Sequence, residues 1–162
     1  MRGREILLSP AQSFFERMVK PTVAEFLQQP WDIRRGCLAA IVLNQMADYW
    51  VADDRCPDAN DLRRKLTVQC PEVSLIWDVA DASKHAHLTR GLPRTVTEAN
   101  QITRDSGLFQ APFGTPGGFA EATRVLIRGH GGAEQPLEPV VRVVLALWDE
   151  RLSNDRRGQA RL

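Results

Sequence analysis

The sequence predicts a mainly α-helical fold, in which a four-helix bundle carries a small antiparallel β-meander inserted between helices 3 and 4. Three observations support this prediction. Apolar residues recur at helical spacing in four stretches of the chain. Capping residues and prolines stand where those stretches begin. Residues 91–132 change character, because glycine and proline become frequent and β-branched residues alternate with polar ones.

The first helix is predicted to begin after Ser9. Ser9 is the N-cap, Pro10 suits the first helical position, and Gln12 can reach back to the cap, which together form a capping box. The helical spacing of apolar residues continues to about Gln29. We expect a kink at Pro21, because proline removes a backbone hydrogen bond and crowds the preceding turn.

The second helix is predicted over residues 33–51, with Asp32 as its cap. Apolar residues lie on nearly every side of it, which is typical of a central helix. Its few polar residues, Cys37, Asn44 and Asp48, lie on one narrow stripe. Two interpretations stay open: Asn44 and Asp48 satisfy donors inside the bundle, or their stripe faces a polar strip on the third helix.

The third helix is predicted to begin near Pro71, since proline is favoured in the first helical turn. A wide apolar arc leaves only a narrow polar strip, made of Ser74, Asp78, Asp81 and His85. Asp81 and His85 are i,i+4 neighbours and Asp78 lies one turn earlier, so the three side chains can converge. The strip is either the solvated face of the helix, with Asp81 paired to the imidazole, or an inward-facing polar site.

Shorter elements complete the prediction before and after the third helix. Residues 60–66 suggest a short capped helix, whose basic residues Arg63, Arg64 and Lys65 are expected on the solvated surface. Strands are predicted at 94–98, 101–104 and 121–128. A hairpin turn is predicted at 105–107 and a mobile loop at 114–118.

The fourth helix is predicted over residues 134–151, followed by a polar tail that we expect to be disordered. The domain prediction is a single domain over residues 1–162. Its helical core covers about 10–90 and 135–152, its β insertion about 92–130, and its disordered tail about 153–162.

Composition excludes several classes of protein. The 162 residues suffice for one core, and a net charge of +1 gives no global attraction to nucleic acid or to anionic membranes. The odd number of cysteines, Cys37, Cys56 and Cys70, favours free thiols in a reducing compartment, so we expect a cytoplasmic protein. No signal-peptide core or membrane-spanning apolar stretch is present in the sequence.

The polar strip carries the main chemical signal. Asp78, Asp81 and His85, with Asp48 from the facing helix, could bind a divalent metal such as Mn, Fe or Mg, because oxygen-rich sites with one imidazole suit those ions. As catalytic residues, His85 would be a general base or ligand, and Asp81 or Asp78 would orient it. The usual nucleotide-binding, lipase-like and zinc-protease motifs are absent from the sequence.

The run from Asp78 to His85, which ends in a Lys-His pair on a helix, resembles the HEPN-like helical-bundle proteins of bacteria. This resemblance implies a dimeric four-helix domain, and many such proteins are RNases or RNA-binding toxins. Active members carry an arginine four to six residues before a helical histidine. No arginine lies in that window before His85 or His87, so the chain resembles a member without the catalytic pair.

Two functional hypotheses follow. The first is a non-enzymatic module that forms a homodimer or binds a partner protein or RNA, because no complete catalytic motif is present and apolar faces abound. It needs no cofactor. The alternative is a metal-dependent hydrolase or nuclease that uses the Asp/Asp/His strip of helix 3, namely Asp78, Asp81 and His85.

Overall fold

A computed structural model of the chain describes residues 8–85, 88, 94–105 and 124–159, with side chains to residue 155. The α-helices are α1 (Pro10–Phe14), α2 (Lys20–Gln28), α3 (Ile33–Ala52), α4 (Ala59–Gln69), α5 (Glu72–Lys84) and α6 (Leu137–Gln159). The strands are β1 (Ile102–Arg104), β2 (Val125–Arg128) and β3 (Glu134–Pro136). The predicted mainly helical fold with a small antiparallel sheet before the last helix is confirmed.

The first helix shows how the chain accommodates a proline. The capping box at Ser9 is present as predicted, with the Gln12 N–H donating to Ser9 Oγ at 3.3 Å and the Ser9 N–H donating to Gln12 Oε1 at 3.2 Å. A π-helical turn, Phe15–Val19, joins α1 to α2 just before Pro21. Proline cannot donate the regular backbone bond, and a widened turn is a known way to absorb that loss. The structure thus has a π turn before Pro21, and the kink expected there stays a prediction.

The described residues form five helices when α1, the π turn and α2 are counted as one, so a four-helix bundle is not confirmed. The additional helix is α4, which is longer than the predicted segment 60–66. Its N-cap is Asp58, whose carboxylate accepts from the Asp61 N–H at 2.7 Å. Leu62 and Leu66 of α4 are buried in the core, so α4 packs as part of the helical core.

Helix α3 is the centre of the fold, as its apolar composition predicts. It contacts α1, α2, α4, α5 and α6. The carboxylate of Asp32 caps it by accepting from the Arg35 N–H at 3.1 Å. A methyl group at Gly36 would lie 2.9 Å from Leu137, so the glycine lets α6 begin close against α3.

The sheet has the order β1-β2-β3 and is antiparallel throughout. Ile102 pairs with Ile127 and Leu126 with Pro136. Strand β1 confirms the prediction at 101–104, and β2 confirms the described end of the segment 121–128. The predicted turn at 105–107 lies mostly outside the described residues, and the predicted loop at 114–118 lies entirely outside them.

Two β predictions need correction. Segment 94–98 is not a strand of the sheet, because the backbone N–H groups of Thr95 and Val96 are bound by a carboxylate of α5 instead of a neighbouring strand. Residues 134–136, predicted as helix, form β3, and α6 begins only at Leu137.

Helix α6 runs to Gln159, so the disorder predicted from residue 153 is not found over 153–159. Two contacts explain the difference. Leu152 is buried in the core, and Asp155 pairs with Arg55 at 2.8 Å. None of the described helices is long and apolar enough to span a bilayer.

The cap of the first helix also joins distant parts of the chain. The Ser9 hydroxyl donates to Asp53 Oδ2 at 2.6 Å, and the Asp53 side chain is only 2% exposed. Ser9→Ala removes the cap and one partner of this buried carboxylate. We expect the free energy of unfolding to fall by about 1–2 kcal/mol, measured by urea titration followed by circular dichroism.

Ser74→Ala is the matched control, because that hydroxyl donates only to the neighbouring Pro71 carbonyl at the exposed surface. We expect a change within about 0.5 kcal/mol. Equal losses in the two variants would contradict the role given to Ser9.

Candidate functional site

Helix α5 brings Asp78 and Asp81 together around one arginine. Arg94 Nη1 donates to Asp78 Oδ1 at 3.3 Å and to Asp81 Oδ2 at 3.0 Å. The second oxygen of Asp78 accepts from the N–H groups of Thr95 at 2.7 Å and Val96 at 3.4 Å. We call these five residues the Asp78 clamp. The clamp ties the chain after α5 back onto the helix.

Burial has the largest effect on the pKa of Asp78, because this residue is only 8% exposed. Desolvation raises the pKa of this carboxyl above the ordinary value, and the opposing N–H bonds of Thr95 and Val96 and the charge of Arg94 do not cancel the effect. A raised pKa is also what a general acid requires. Both oxygens of Asp78, however, already accept hydrogen bonds from the protein, so the geometry is that of a structural carboxylate.

His85 lies at the exposed end of the predicted strip. It follows the last residue of α5, and its backbone is extended at φ −123° and ψ 132°, although its N–H still donates to the Asp81 carbonyl at 3.0 Å. The expected convergence assumed helical geometry through residue 85. Since His85 has left the helix, the i,i+4 relation does not set its direction. The structure thus brings Asp78 and Asp81 together and leaves His85 at an exposed helix end.

Asp48 and Asn44 face an arginine of α4. Arg63 Nη2 donates to Asp48 Oδ2 at 2.6 Å and to the Asn44 carbonyl at 3.0 Å, and its Nε donates to Asn44 Oδ1 at 2.8 Å. Arg63 is 7% exposed, so its predicted place on the solvated surface is wrong, whereas Arg64 and Lys65 are exposed. The interpretation in which Asn44 and Asp48 satisfy donors inside the bundle agrees with these bonds.

Two guanidinium groups flank the indole of Trp77. Arg63 lies 5.6 Å and Arg94 lies 5.7 Å from the ring centroid. Cation–π attraction of this kind adds to the ion pairs that each arginine makes. Arg63 therefore binds the polar residues of α3, and Arg94 binds those of α5. The indole of Trp77 is in contact with both guanidinium groups.

No metal-binding group is found in the part of the chain that the structure describes: no three His, Cys, Asp or Glu side chains lie close enough to hold an ion. The predicted ligands Asp78 and Asp81 share Arg94, Asp48 binds Arg63, and His85 is exposed. The negative charges of these three carboxylates are thus balanced by arginine side chains.

A second surface combines aromatic and basic side chains. Trp31, Asp32, Ile33, Arg34 and Arg104 line a cavity of about 320 Å³, which we call the Trp31 pocket. Trp31 is 38% exposed, although a large indole is usually more buried than that. The pocket therefore presents an accessible aromatic ring beside two arginines.

The sheet builds this pocket by docking on the loop between α2 and α3. The Val125 N–H donates to the Pro30 carbonyl at 2.6 Å. Arg104 pairs with Val125 in the β1–β2 register. Because Val125 is bound to Pro30, which precedes Trp31, Arg104 lies close to the indole. The sequence holds no local signal for this arrangement, because Arg104 and Trp31 are far apart in the chain.

The charges of the Trp31 pocket are unbalanced. Arg34 and Arg104 are exposed, and neither pairs with a carboxylate among the described residues. Asp32 already accepts from the Arg35 N–H, and its second oxygen lies 3.5 Å from Arg35 Nε. By contrast, Arg63, Arg64, Arg94, Arg128 and Arg142 all have acidic partners. Arg34 and Arg104 are thus available to an anionic ligand.

Comparison with protein-family models, with curated proteins and with solved structures finds no match to this chain. The resemblance to HEPN-like bundles therefore stays a prediction.

Removing the carboxylate of the Asp78 clamp tests its structural role. Asp78→Ala leaves the backbone N–H groups of Thr95 and Val96 without their acceptor and leaves Arg94 with Asp81 alone. We therefore expect the free energy of unfolding to fall by about 2–4 kcal/mol in urea titrations. Asp61→Ala on α4 is the control, because its ion pair with Arg64 is 57% and 56% exposed. We expect that variant to lose under about 1 kcal/mol. A loss of unfolding free energy at Asp78 no larger than at Asp61 would show that the Asp78 clamp does not stabilise the fold.

Proposed function

We propose that this protein is a non-catalytic module that binds single-stranded RNA through the Trp31 pocket. The observation that carries the proposal is the exposed indole of Trp31 beside Arg34 and Arg104, which have no acidic partner among the described residues. The resemblance to HEPN-like proteins, some of which bind RNA, agrees with this proposal.

The chemistry of the pocket suits an unpaired nucleotide. A base can stack on an indole, and such stacking contributes about 1–3 kcal/mol per base. The planar guanidinium groups of Arg34 and Arg104 match the geometry of phosphate oxygens. Bases in a duplex are already stacked, so a pocket built on one aromatic ring favours a single strand.

The size and charge of the pocket agree with one nucleotide. Its volume of about 320 Å³ lies within the range of small-ligand sites. The charge of Asp32 is opposed by Arg35 next to it, so Arg34 and Arg104 give the pocket a positive balance. A net charge of only +1 for the chain means that this attraction is local.

One further observation supports this proposal over the hydrolase alternative. Asp78 and Asp81 are bound to Arg94, so the predicted catalytic residues are already used in ion pairs within the fold.

Binding can be measured by fluorescence anisotropy with a labelled oligouridine, a labelled RNA duplex and an oligothymidine, each across a range of salt concentrations. We expect Trp31→Ala to weaken binding of the oligouridine about tenfold or more, since a stacking partner is lost. We expect the double variant Arg34→Ala, Arg104→Ala to weaken binding and to lower the salt slope by about 1.4, because each arginine contributes about 0.7 on a single strand.

The matched control is the double variant Arg64→Ala, Arg128→Ala, in which both arginines are exposed but already paired with Asp61 and Glu134. It should bind like the parent protein. Failure of the parent protein to bind oligouridine, or an equal loss in the control variant, would overturn the proposal. Equal affinity for the duplex would exclude stacking on Trp31, and tighter binding of oligothymidine would show that RNA is not the preferred strand.

A further inference from the structure

Helix α3 has an exposed face that continues from the Trp31 pocket. Arg34 lines the pocket and Leu38 comes four residues later, so the two side chains are neighbours on one face of α3. Leu38 lies about 6 Å farther along the helix axis, from a rise of about 1.5 Å per residue. It is 39% exposed, although leucine is more often buried. We call the exposed surface formed by Arg34 and Leu38 the outer face of α3.

Two helices border the outer face of α3. Arg35 Nη1 donates to the Glu25 carbonyl at 3.1 Å, so α2 lies beside Arg35. The Cys37 thiol contacts the Ser83 hydroxyl, so the last turn of α5 lies beside Cys37. Residues two apart on an α-helix point about 160° away from each other, and the outer face lies within that arc. It is therefore bordered by α2 on one side and by α5 on the other.

The charges on the two borders have opposite signs. On the α2 side, Glu25 is exposed. On the α5 side, Lys84 follows Ser83 and is exposed, and no carboxylate pairs with its amine among the described residues. Lys84 lies in the last turn of α5, where the helix dipole attracts a cation and repels an anion. A phosphate is thus attracted by the amine of Lys84 itself and repelled by Glu25.

We infer that the outer face of α3 holds a second nucleotide of the RNA strand, with its base against Leu38 and its phosphate on Lys84. This second subsite rests on the proposed function and extends it from one nucleotide to two. An apolar side chain packs against the flat face of a base, and a lysine amine binds phosphate oxygens as a point charge. Arg34 lies between Trp31 and Leu38, where its guanidinium reaches the phosphate that links the two bases. The order of groups along the helix therefore alternates base and phosphate contacts, as a nucleotide strand requires.

Displacement of the labelled oligouridine by short ligands tests this inference on the full chain. The ligands are uridine 3′,5′-bisphosphate, which fills one subsite, and the uridine dinucleotide phosphorylated at both ends, which fills two. We expect the dinucleotide to bind about tenfold or more tightly than the bisphosphate, because it adds an apolar contact and a charge pair.

Variants at the second subsite should reduce this gain in affinity. Leu38→Ser removes the apolar contact and Lys84→Ala removes the charge pair, so we expect each to lower the gain about threefold or more. Lys84→Ala should also lower the salt slope for oligouridine by about 0.7, the share of one phosphate on a single strand. Lys84→Arg keeps the charge and should retain the gain. Circular dichroism checks that each variant keeps the helix content of the parent protein.

Val68→Ser and Lys65→Ala are the matched controls. Val68 is 86% exposed, and Lys65 is exposed with no acidic partner among the described residues. Both lie on α4, which follows the C-terminal end of α3, whereas the Trp31 pocket is at its N-terminal end. Both variants should retain the gain from one nucleotide to two.

The possible results distinguish the second subsite from the proposed function. If Trp31→Ala weakens oligouridine binding while Leu38→Ser and Lys84→Ala behave like the controls, the second subsite is wrong and the proposed function stands. The second subsite is also wrong if the dinucleotide binds no more tightly than the bisphosphate. A parent protein that does not bind oligouridine overturns both.

Discussion

The fold depends on one buried carboxylate that holds together segments distant in sequence. Asp78 accepts from Arg94 and from two backbone N–H groups of the chain that follows α5. A buried charge is stable only when it is paired and hydrogen-bonded. Residues 94–96 must therefore pack against α5 before the sheet begins. The same rule explains Arg63, whose buried guanidinium requires Asn44 and Asp48. The carboxylates that the sequence marks as chemically capable, Asp48, Asp78 and Asp81, are thereby used in folding.

This constraint has a consequence for the surface. With the chain held at α5, β1 and β2 dock on the loop between α2 and α3 through the bond from Val125 to Pro30. Because of this docking, Arg104 lies beside Trp31 and Arg34 in the Trp31 pocket. Two guanidinium groups and an indole are therefore exposed next to one another. Functional groups that lie on a scaffold's loops and strand ends are free to bind, whereas those in the core are satisfied.

Local signals in the sequence predict the starts of the first helix and of α3, but neither the start of α6 nor the site. The cap of Ser9, the cap of Asp32 and the apolar surface of α3 depend on neighbouring residues, and all were predicted correctly. The burial of Arg63, the position of Arg94 and the full length of α6 depend on partners far along the chain, such as Asp48, Asp78 and Arg55. Residue patterns cannot show such partners. The sequence pattern places His85 on the third helix, whereas α5 ends one residue earlier, at Lys84, because helix ends fray and local patterns do not fix the last residue.

The most direct test of the account is a double-mutant cycle between Asp78 and Arg94, measured as free energies of unfolding in urea. If the carboxylate and the guanidinium act as one structural unit, Asp78→Ala, Arg94→Ala and the double variant should give a coupling energy of about 1–3 kcal/mol. The same cycle at the exposed pair Asp61 and Arg64 should give under about 0.5 kcal/mol. Equal and small coupling energies at both pairs would show that the polar strip of α5 does not hold the fold and would reopen it as a functional site.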